Sequence, residues 1–341
     1  MVVQSDLAEA GIAIERDPPP VGTTAAGRRS ALWRFRARYV AEKILSAVFV
    51  LWAAVTLSLF SIHFAPGDPV TLLMGEVETP ELRAAVEEAW GLNRPFHEQY
   101  LSYLGNLLHG DFGFSFAQNK PVNDILFGPQ LMASAQLTAF ALVAALVIAV
   151  VLAVLTAGRR GFVSKAIQLG ELVFASMPSF WLGIVLITIF AFNLGWLPVT
   201  SGTNLQKLIL PGLTLALPLA AVLGQVIREG IERSLEQPYS VTALARGIGP
   251  TRLKYAHALR HSLLPATTLA GWAVGGMLTG TVVVEQVFGR SGIGQATVAA
   301  VTLQDIPVVL AVAMLAAFIY VGVNTLVDIL YLWIDPRMRT R

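Results

Sequence analysis

The chain has 341 residues, of which 55% are hydrophobic and only 13% charged, with a formal net charge of +2 and a mean hydropathy of +0.64. Soluble domains carry about 25% charged residues, so this chain lacks the polar surface to cover a globule in water, and lipid has to cover part of it. The near-neutral balance gives no footprint for a nucleic-acid partner, and the absence of Cys excludes disulfides and thiolate metal sites.

In chain order, residues 1–32 are polar, contain "DPPP" at 17–20 and have no apolar core, so they are not a signal peptide. They are expected to form a disordered cytoplasmic tail. Six apolar runs follow, at roughly 44–65, 135–157, 172–195, 208–227, 262–284 and 306–327. Each is long enough to cross a ~30 Å hydrocarbon core as a helix. Lipid offers no partner to backbone N–H and C=O groups, so spans of this kind have to be helical. The expected fold class is all-α: a polytopic membrane protein with six transmembrane helices. Pro178, Pro211 and Pro218 lie in or near the spans, and each is expected to kink its helix.

The segment 66–134, between the first two spans, is the largest soluble piece and is rich in acids, from Asp68 to Asp124. "TPELRAAVEEAWGL" reads as a helix with Thr79 as N-cap, Pro80 at its first position and Glu81 near the positive end of the dipole. Leu82, Val86 and Trp90 form one apolar stripe, and "HEQYLSYLGNLL" predicts a second short helix after the turn at "LNRP". This is expected to be a small extracytoplasmic helical lobe.

With six spans both termini lie on one side, and that side collects 19 of the 24 Lys and Arg. The positive-inside rule makes it cytoplasmic.

Several tempting motifs fail for want of partners. Asp111-Phe112-Gly113 has no glycine loop or catalytic loop with it and reads as a turn. His257 and His261 have zinc-like i, i+4 spacing but no Glu between them and no third ligand, and His97 and His109 are isolated. No Gly-Lys dipeptide occurs, so the chain has no P-loop and no ATPase site of its own. Glu171, Glu285 and Asp328 sit near span ends and read as anchors or caps rather than a proton relay. No catalytic, cofactor-binding or metal residues are assigned, and the chain is not expected to be an enzyme.

One segment breaks the greasy pattern. "YSVTALARGIGPTRLKYAHALRHSLLP", Tyr239–Pro265, carries Arg246, Arg252, Lys254 and Arg260 and no acid. Ala-rich helix formers precede Gly247 and Gly249-Pro250, which break the chain, and a second helix restarts with Thr251 as its expected cap. Its expected inner face runs through Leu253, Ala256, Leu259 or Arg260, and Leu263. Two short helices about a glycine bend make a compact knob, and Ala243, Ala245 and Gly247 are small enough for a partner to approach closely.

This segment resembles the EAA-type coupling loop of ABC importer permeases of the dipeptide/oligopeptide/nickel family. The resembling residues are Tyr239, Thr242-Ala243, Ala245, Arg246-Gly247, His257-Ala258-Leu259-Arg260 and Leu263-Leu264-Pro265; Val241 stands where the general motif has Glu. The resemblance covers about residues 33–341. It includes "PGDP" (66–69), "GLNRPFHEQYLSYLGNLLHGDFGFSF" (91–116), "SMPSFWLG" (176–183), "VVVEQVFGRSGIG" (282–294, with Ser291 where Pro is common) and "NTLVDILYLWIDPRMR" (324–339).

The resemblance implies a type I importer architecture, with a transmembrane domain at 33–341, the lobe at 66–134 and a cytoplasmic coupling loop at 230–261. The implied partners are a second homologous permease, two ABC ATPase subunits that bind ATP and Mg, an extracytoplasmic solute-binding protein and the bilayer of a bacterial inner membrane. Thr242, Ala243, Ala245, Arg246, Gly247 and Ile248 are the expected ATPase contacts. Arg290, Gly292 and Gly294 are the expected binding-protein contacts. The translocation path is not assigned. The implied cargo is di- or oligopeptide, with nickel chelates or other small solutes as the alternative. A stand-alone channel or secondary transporter is the distant alternative, disfavoured by the missing intramembrane charges and by the coupling loop.

Overall fold

The computed structural model describes residues 25–64, 68–74 and 79–334. It is helical almost throughout. Helix α1 (Ala25–Phe64) leads into a lobe of α2 (Pro69–Met74), α3 (Pro80–Trp90), α4 (Phe96–Leu108), the antiparallel pair β1 (Phe114–Ser115) and β2 (Lys120–Pro121), and α5 (Val122–Leu126). The bundle follows: α6 (Pro129–Thr156), α7 (Phe162–Ser176), α8 (Ser179–Leu186) with a π-helical continuation Ile187–Asn193, and α9 (Gln206–Leu235). After α10 (Pro238–Ala245) and α11 (Pro250–Arg252), a π turn Leu253–Ala258 runs into α12 (Leu259–Phe288), then α13 (Ile293–Thr302) and α14 (Ile306–Ile334). By length and composition four helices can each cross a membrane, and six spans result if the bent pairs α7–α8 and the two halves of α12 each count as one.

Two of these elements differ from expectation. Helix α1 begins at Ala25, so residues 25–32 of the expected disordered tail are helical, while residues 1–24 lie outside the described residues. The third span is not one rod. Helix α7 ends at Ser176 and the chain turns by 115° into α8. Met177 is extended (φ −78°, ψ 132°), the conformation that a following proline imposes, and Pro178 has no N–H to carry the ladder across. Pro211 and Pro218 lie within α9, which runs unbroken from Gln206 to Leu235.

Helix α9 is the hub, packed against α6, α7, α8 and α12. The facing stripe of α6 is Leu137, Ala141, Ala145, Ala149 and Ala153, all fully buried at a spacing of one turn. Small residues let the two backbones close up, and in lipid that gain in van der Waals packing replaces the hydrophobic drive. At Gly212 a Cβ would collide with the Phe140 ring.

Helix α7 is built the other way round. Its two buried residues, Ser164 and Glu171, are polar, while Phe162, Val163, Leu169, Leu172 and Val173 are exposed. Glu171 Oε2 lies 2.7 Å from Arg228 Nη1 on α9, with the two side chains 1% and 11% exposed. The approach is off the hydrogen-bond direction, so charge rather than an aligned bond holds the pair. Arg228 also reaches the Thr156 hydroxyl at 3.4 Å. Glu171 Oε1 would be only 3.0 Å from a Cβ on Gly224, so the glycine leaves it room.

A second core joins the lobe to α1, α13 and α14. Thr79 caps α3 through Leu82 N–H at 3.2 Å with Pro80 in the first turn, as its sequence predicts. Val86 is fully buried, and Trp90 stacks on Tyr103 at 5.5 Å. Buried Asp305, at the start of α14, accepts from the Ser115 hydroxyl (2.6 Å) and the Gln118 amide (3.0 Å), which ties the β pair to the bundle. The Asp111-Phe112-Gly113 tripeptide is a turn, with Asp111 Oδ1 accepting from Gly113 N–H at 2.9 Å.

Removing one partner of a buried ion pair strands the other charge, at a cost of about 3–5 kcal/mol, whereas replacing both by apolar residues is close to neutral. Glu171→Ala and Arg228→Met are each expected to lower the thermal unfolding midpoint of the purified protein in detergent sharply. The double variant Glu171→Leu/Arg228→Met is expected to recover most of the loss.

Candidate functional site

The knob is built from local rules. Gln237 is extended ahead of α10 (φ −72°, ψ 148°) and Pro238 occupies the first helical position, where its missing N–H costs nothing. The helix ends in a Schellman motif. Gly247 sits at φ +82°, its N–H donates to Leu244 O at 2.9 Å, and Ile248 N–H reaches back to Ala243 O at 3.1 Å. The cap of the second helix is Gly249, with Pro250 at its first position and Leu253 N–H donating to Gly249 O at 3.0 Å, not the expected Thr251.

Helix α10 is moored to the end of α9 by polar contacts. The Ser240 hydroxyl donates to Ser234 O at 2.7 Å, the Ser234 and Tyr239 hydroxyls pair, and the Tyr239 ring lies 6.0 Å from that of His261. What remains free is the side turned away from the bundle. Of the expected contacts, Thr242, Ala245, Arg246 and Gly247 are exposed and Ala243 and Ile248 half-buried. The Thr242 hydroxyl is engaged within its own helix, on Pro238 O at 3.1 Å. Beside them the structure exposes Val241, Leu244 and Tyr255, which sequence reasoning did not assign to the surface. Their signal was faint, since Val241 stood out only as the position of a missing acid.

The restart after the bend is a π turn, which changes the buried face. Leu253 and Ala258, five apart, are both buried, and Ser262 and Ala266 continue the stripe at a spacing of four. Of the expected face, Leu253 is buried and Leu259 and Leu263 pack half-buried against the core, while Ala256 and Arg260 are exposed. Lys254 points to the end of α6 and donates to Ala157 O at 2.7 Å. Burial, and then the charge of Arg159, push its ammonium pKa down, partly offset by Glu232. Glu232 in turn accepts from Gly158 N–H at 3.0 Å.

At the opposite end, the other predicted site residues surround Glu285. This fully buried carboxylate accepts from the Ser134 hydroxyl (2.5 Å) and from Gly294 N–H (2.8 Å) and Gln295 N–H (3.2 Å), so it caps α13 as a span-end acid should. The Ser134 hydroxyl accepts from Ile293 N–H at 2.8 Å, and the Arg290 guanidinium donates to Ala133 O at 3.3 Å. Gly292 and Gly294 are buried: a Cβ on Gly292 would overlap the Glu285 carboxylate, and one on Gly294 would overlap Val282. They shape the loop from within, so an outward contact here falls to half-exposed Arg290 and exposed Ser291.

Between α6, α12, α13 and α14 lies a cavity of about 690 Å³. Its wall is aliphatic, interrupted by hydroxyls including Ser134, Thr138, Thr267 and Thr297.

A bundle of membrane-length apolar helices, carrying a moored and exposed knob at one end and a folded lobe at the other, fits a membrane transport subunit. Residues 145–340 match the family model for the binding-protein-dependent transport system inner membrane component, and residues 36–131 match the model for the N-terminal part of such components. The glutathione transport system permease protein GsiC of Escherichia coli (strain K12) is 32% identical over 302 residues, covering 88% of this chain and 98% of that protein. GsiC of Salmonella typhi is 32% identical over 304 residues with the same coverage. The chain belongs to the ABC importer permeases of the dipeptide/oligopeptide/nickel family, as the non-enzymatic, multi-pass inner-membrane subunit.

Gly294→Ala and Gly276→Ala separate close approach from mere flexibility. The first drives a Cβ into the Val282 backbone, while the second meets nothing within 4 Å. Overpacking costs about 1–3 kcal/mol. Gly294→Ala is therefore expected to lower the thermal midpoint clearly, and Gly276→Ala to leave it unchanged or raised.

Proposed function

We propose that this chain carries di- or oligopeptides across the membrane, with both termini cytoplasmic, as one of two homologous permeases. Two ABC ATPases sit beneath the pair, where they bind ATP and Mg²⁺, and an extracytoplasmic solute-binding protein delivers cargo at the lobe. The observation that carries this reading is the knob: an exposed, glycine-bent helix with small, apolar and cationic residues, moored to α9 and continuous with α12 through the π turn. Thr242, Ala243, Ala245, Arg246, Gly247 and Ile248 make the ATPase contact, joined by Val241 and Leu244. Closure of the ATPases moves the knob, and the knob moves α9 and α12 between two packings of the bundle. The charge bias of 19 of 24 Lys and Arg supports the orientation.

Peptide cargo is supported by the relatives, which are permeases for glutathione, itself a small peptide. The cavity wall carries hydroxyls and aliphatic groups, with no acid or histidine among its lining residues. Arg290 and Ser291 meet the binding protein at the outer mouth.

Three experiments test this. Affinity purification in mild detergent, with mass spectrometry, is expected to recover a second permease and P-loop ATPases; recovery of the chain alone after crosslinking would overturn the assembly. Gly247→Pro forces φ from +82° to about −65° and deletes the N–H that donates to Leu244 O. It is expected to abolish substrate-stimulated ATP hydrolysis and uptake in proteoliposomes while the chain remains folded. In the wild-type complex, uptake of labelled peptide but not of a nickel chelate is the expected result.

A further inference from the structure

The knob is continuous in chain with α9 on one side and, through the π turn, with α12 on the other. Helices α6 and α7 have no such link. Their connecting turn, residues 157–161, is gripped by side chains instead. From α9, Glu232 accepts from Gly158 N–H at 3.0 Å, and one turn earlier Arg228 reaches the Thr156 hydroxyl at 3.4 Å and Glu171 of α7 at 2.7 Å. From the knob's own second helix comes Lys254, whose Nζ donates to Ala157 O at 2.7 Å. Ala157 ends α6 with ψ at 128°, out of the helical range, so its carbonyl points away from the ladder and is open to an outside donor.

We infer that Lys254 is the positioning residue that fastens the α6–α7 turn to the coupling knob, so that α6 and α7 travel with the knob when it moves. The inference rests on the coupling reading of α10 and names a residue outside the ATPase contact itself. Three features carry it. The bond spans 97 positions of sequence and joins the knob segment to helices the backbone does not connect to it. The π turn sets the direction: with Leu253 and Ala258 both buried, the intervening Lys254 is brought to the end of α6. The placement is also costly, because Lys254 stands beside Arg159 in a partly desolvated position where a neutral side chain would meet no opposing charge. Glu232 answers both the Gly158 N–H and that charge, so the turn, α9 and the π turn close into one polar joint. Through Arg228 and Glu171 the joint extends to α7, and from α7 to the elbow at Met177–Pro178.

The chain has no native Cys, so two spin labels can be placed cleanly. Arg160→Cys puts one on the turn and Thr251→Cys the other on the knob; both positions are exposed, and neither belongs to the proposed ATPase contact. The distance distribution is measured by pulsed electron resonance in the assembled importer in nanodiscs, nucleotide-free and ATP-trapped. With Lys254 present, one narrow distribution is expected in both states, because turn and knob move together. Lys254→Met is expected to broaden or shift it in the ATP-trapped state and to lower substrate uptake per ATP hydrolysed about tenfold, equivalent to about 1.4 kcal/mol. Basal ATP hydrolysis and recovery of the ATPases stay at the wild-type level. Lys254→Arg, which keeps a cationic donor, is expected to retain the narrow distribution, and Glu232→Gln, which keeps an acceptor for Gly158 N–H, to do the same.

The inference is overturned if the wild-type distance already changes between nucleotide states, since the turn then does not follow the knob. It is equally overturned if Lys254→Met leaves distance and coupling ratio unaltered. A failure of the coupling reading would look different: ATPases would not co-purify, or Gly247→Pro would transport normally.

Discussion

A charge buried inside a protein has to be answered there, and in this chain Glu171 and Arg228 answer each other across the α7–α9 contact. That pairing fixes which way α7 faces. With Ser164 and Glu171 turned inward, the apolar residues of the helix have to look outward, and Leu169, Leu172 and Val173 do so. The helix is held flat against α9 by its polar edge, and Pro178 then allows the chain to leave at 115° into α8, whose own buried residues, Leu182, Gly183 and Leu186, are apolar. The third span is thus a polar half and an apolar half joined at an elbow. Arg228 reaches Thr156 as well, so the same charge seats the end of α6.

The bundle around that pair relies on absences of side chain as much as on side chains. The Ala stripe of α6 lets α9 come close, Gly212 receives the Phe140 ring, and Gly224 leaves room for the Glu171 carboxylate. At the opposite end Gly292 and Gly294 make way for Glu285 and the backbone of α12, so a carboxylate can reach the free N–H groups of α13. At each of these glycines a neighbour (the Phe140 ring, a carboxylate or the Val282 backbone) lies where a Cβ would be. Glycine here is a packing residue, whereas at Gly247 the positive φ is the reason and no neighbour lies within 4 Å.

These two uses of glycine explain much of what was legible in the sequence. A bend between two short helices is local chemistry, and Gly247, Gly249 and Pro250 declared it without any tertiary information. The Thr79-Pro80 start of α3 and the long apolar runs are local or compositional too, and they were readable for that reason. The close approaches at Gly292 and Gly294 depend on a carboxylate several residues earlier in another helix, so the same letters read as a flexible loop open to a partner. Glu171 looked like a span-end anchor because its partner, Arg228, is 57 positions away and counts in sequence merely as one more cation on a basic side. The π turn at Leu253–Ala258 was hidden for a different reason: its sequence has a serviceable 3.6-residue face, and only the burial of both Leu253 and Ala258 selects the wider turn. Val241 and Leu244 carry no local signal of exposure, since an apolar residue in a short helix reads equally as buried; only the fold shows them together on an outward face, where an exposed apolar pair marks a docking surface.

The packing also divides the molecule in a way that bears on how a permease can move. One core joins α6, α8, α9 and α12, and the knob is moored to it; the other joins the lobe to α1, α13 and α14. The two meet where α13 and α14 pack on α12 and α6, and at α13 the contact includes a cluster of hydrogen bonds. Glu285 and Ser134 belong to the first block, and the N–H groups of Ile293, Gly294 and Gln295 to the second. A tightly interdigitated apolar core resists sliding, because any displacement opens voids. A seam made of hydrogen bonds to a helix end can be remade in a second geometry without leaving a cavity, provided each buried group finds a partner again. At this seam the polar cap of α13 sits beside close packing at Gly294–Val282 and Gly275–Tyr320, so any second packing of the two blocks has to re-pair the hydrogen bonds and re-seat those contacts together.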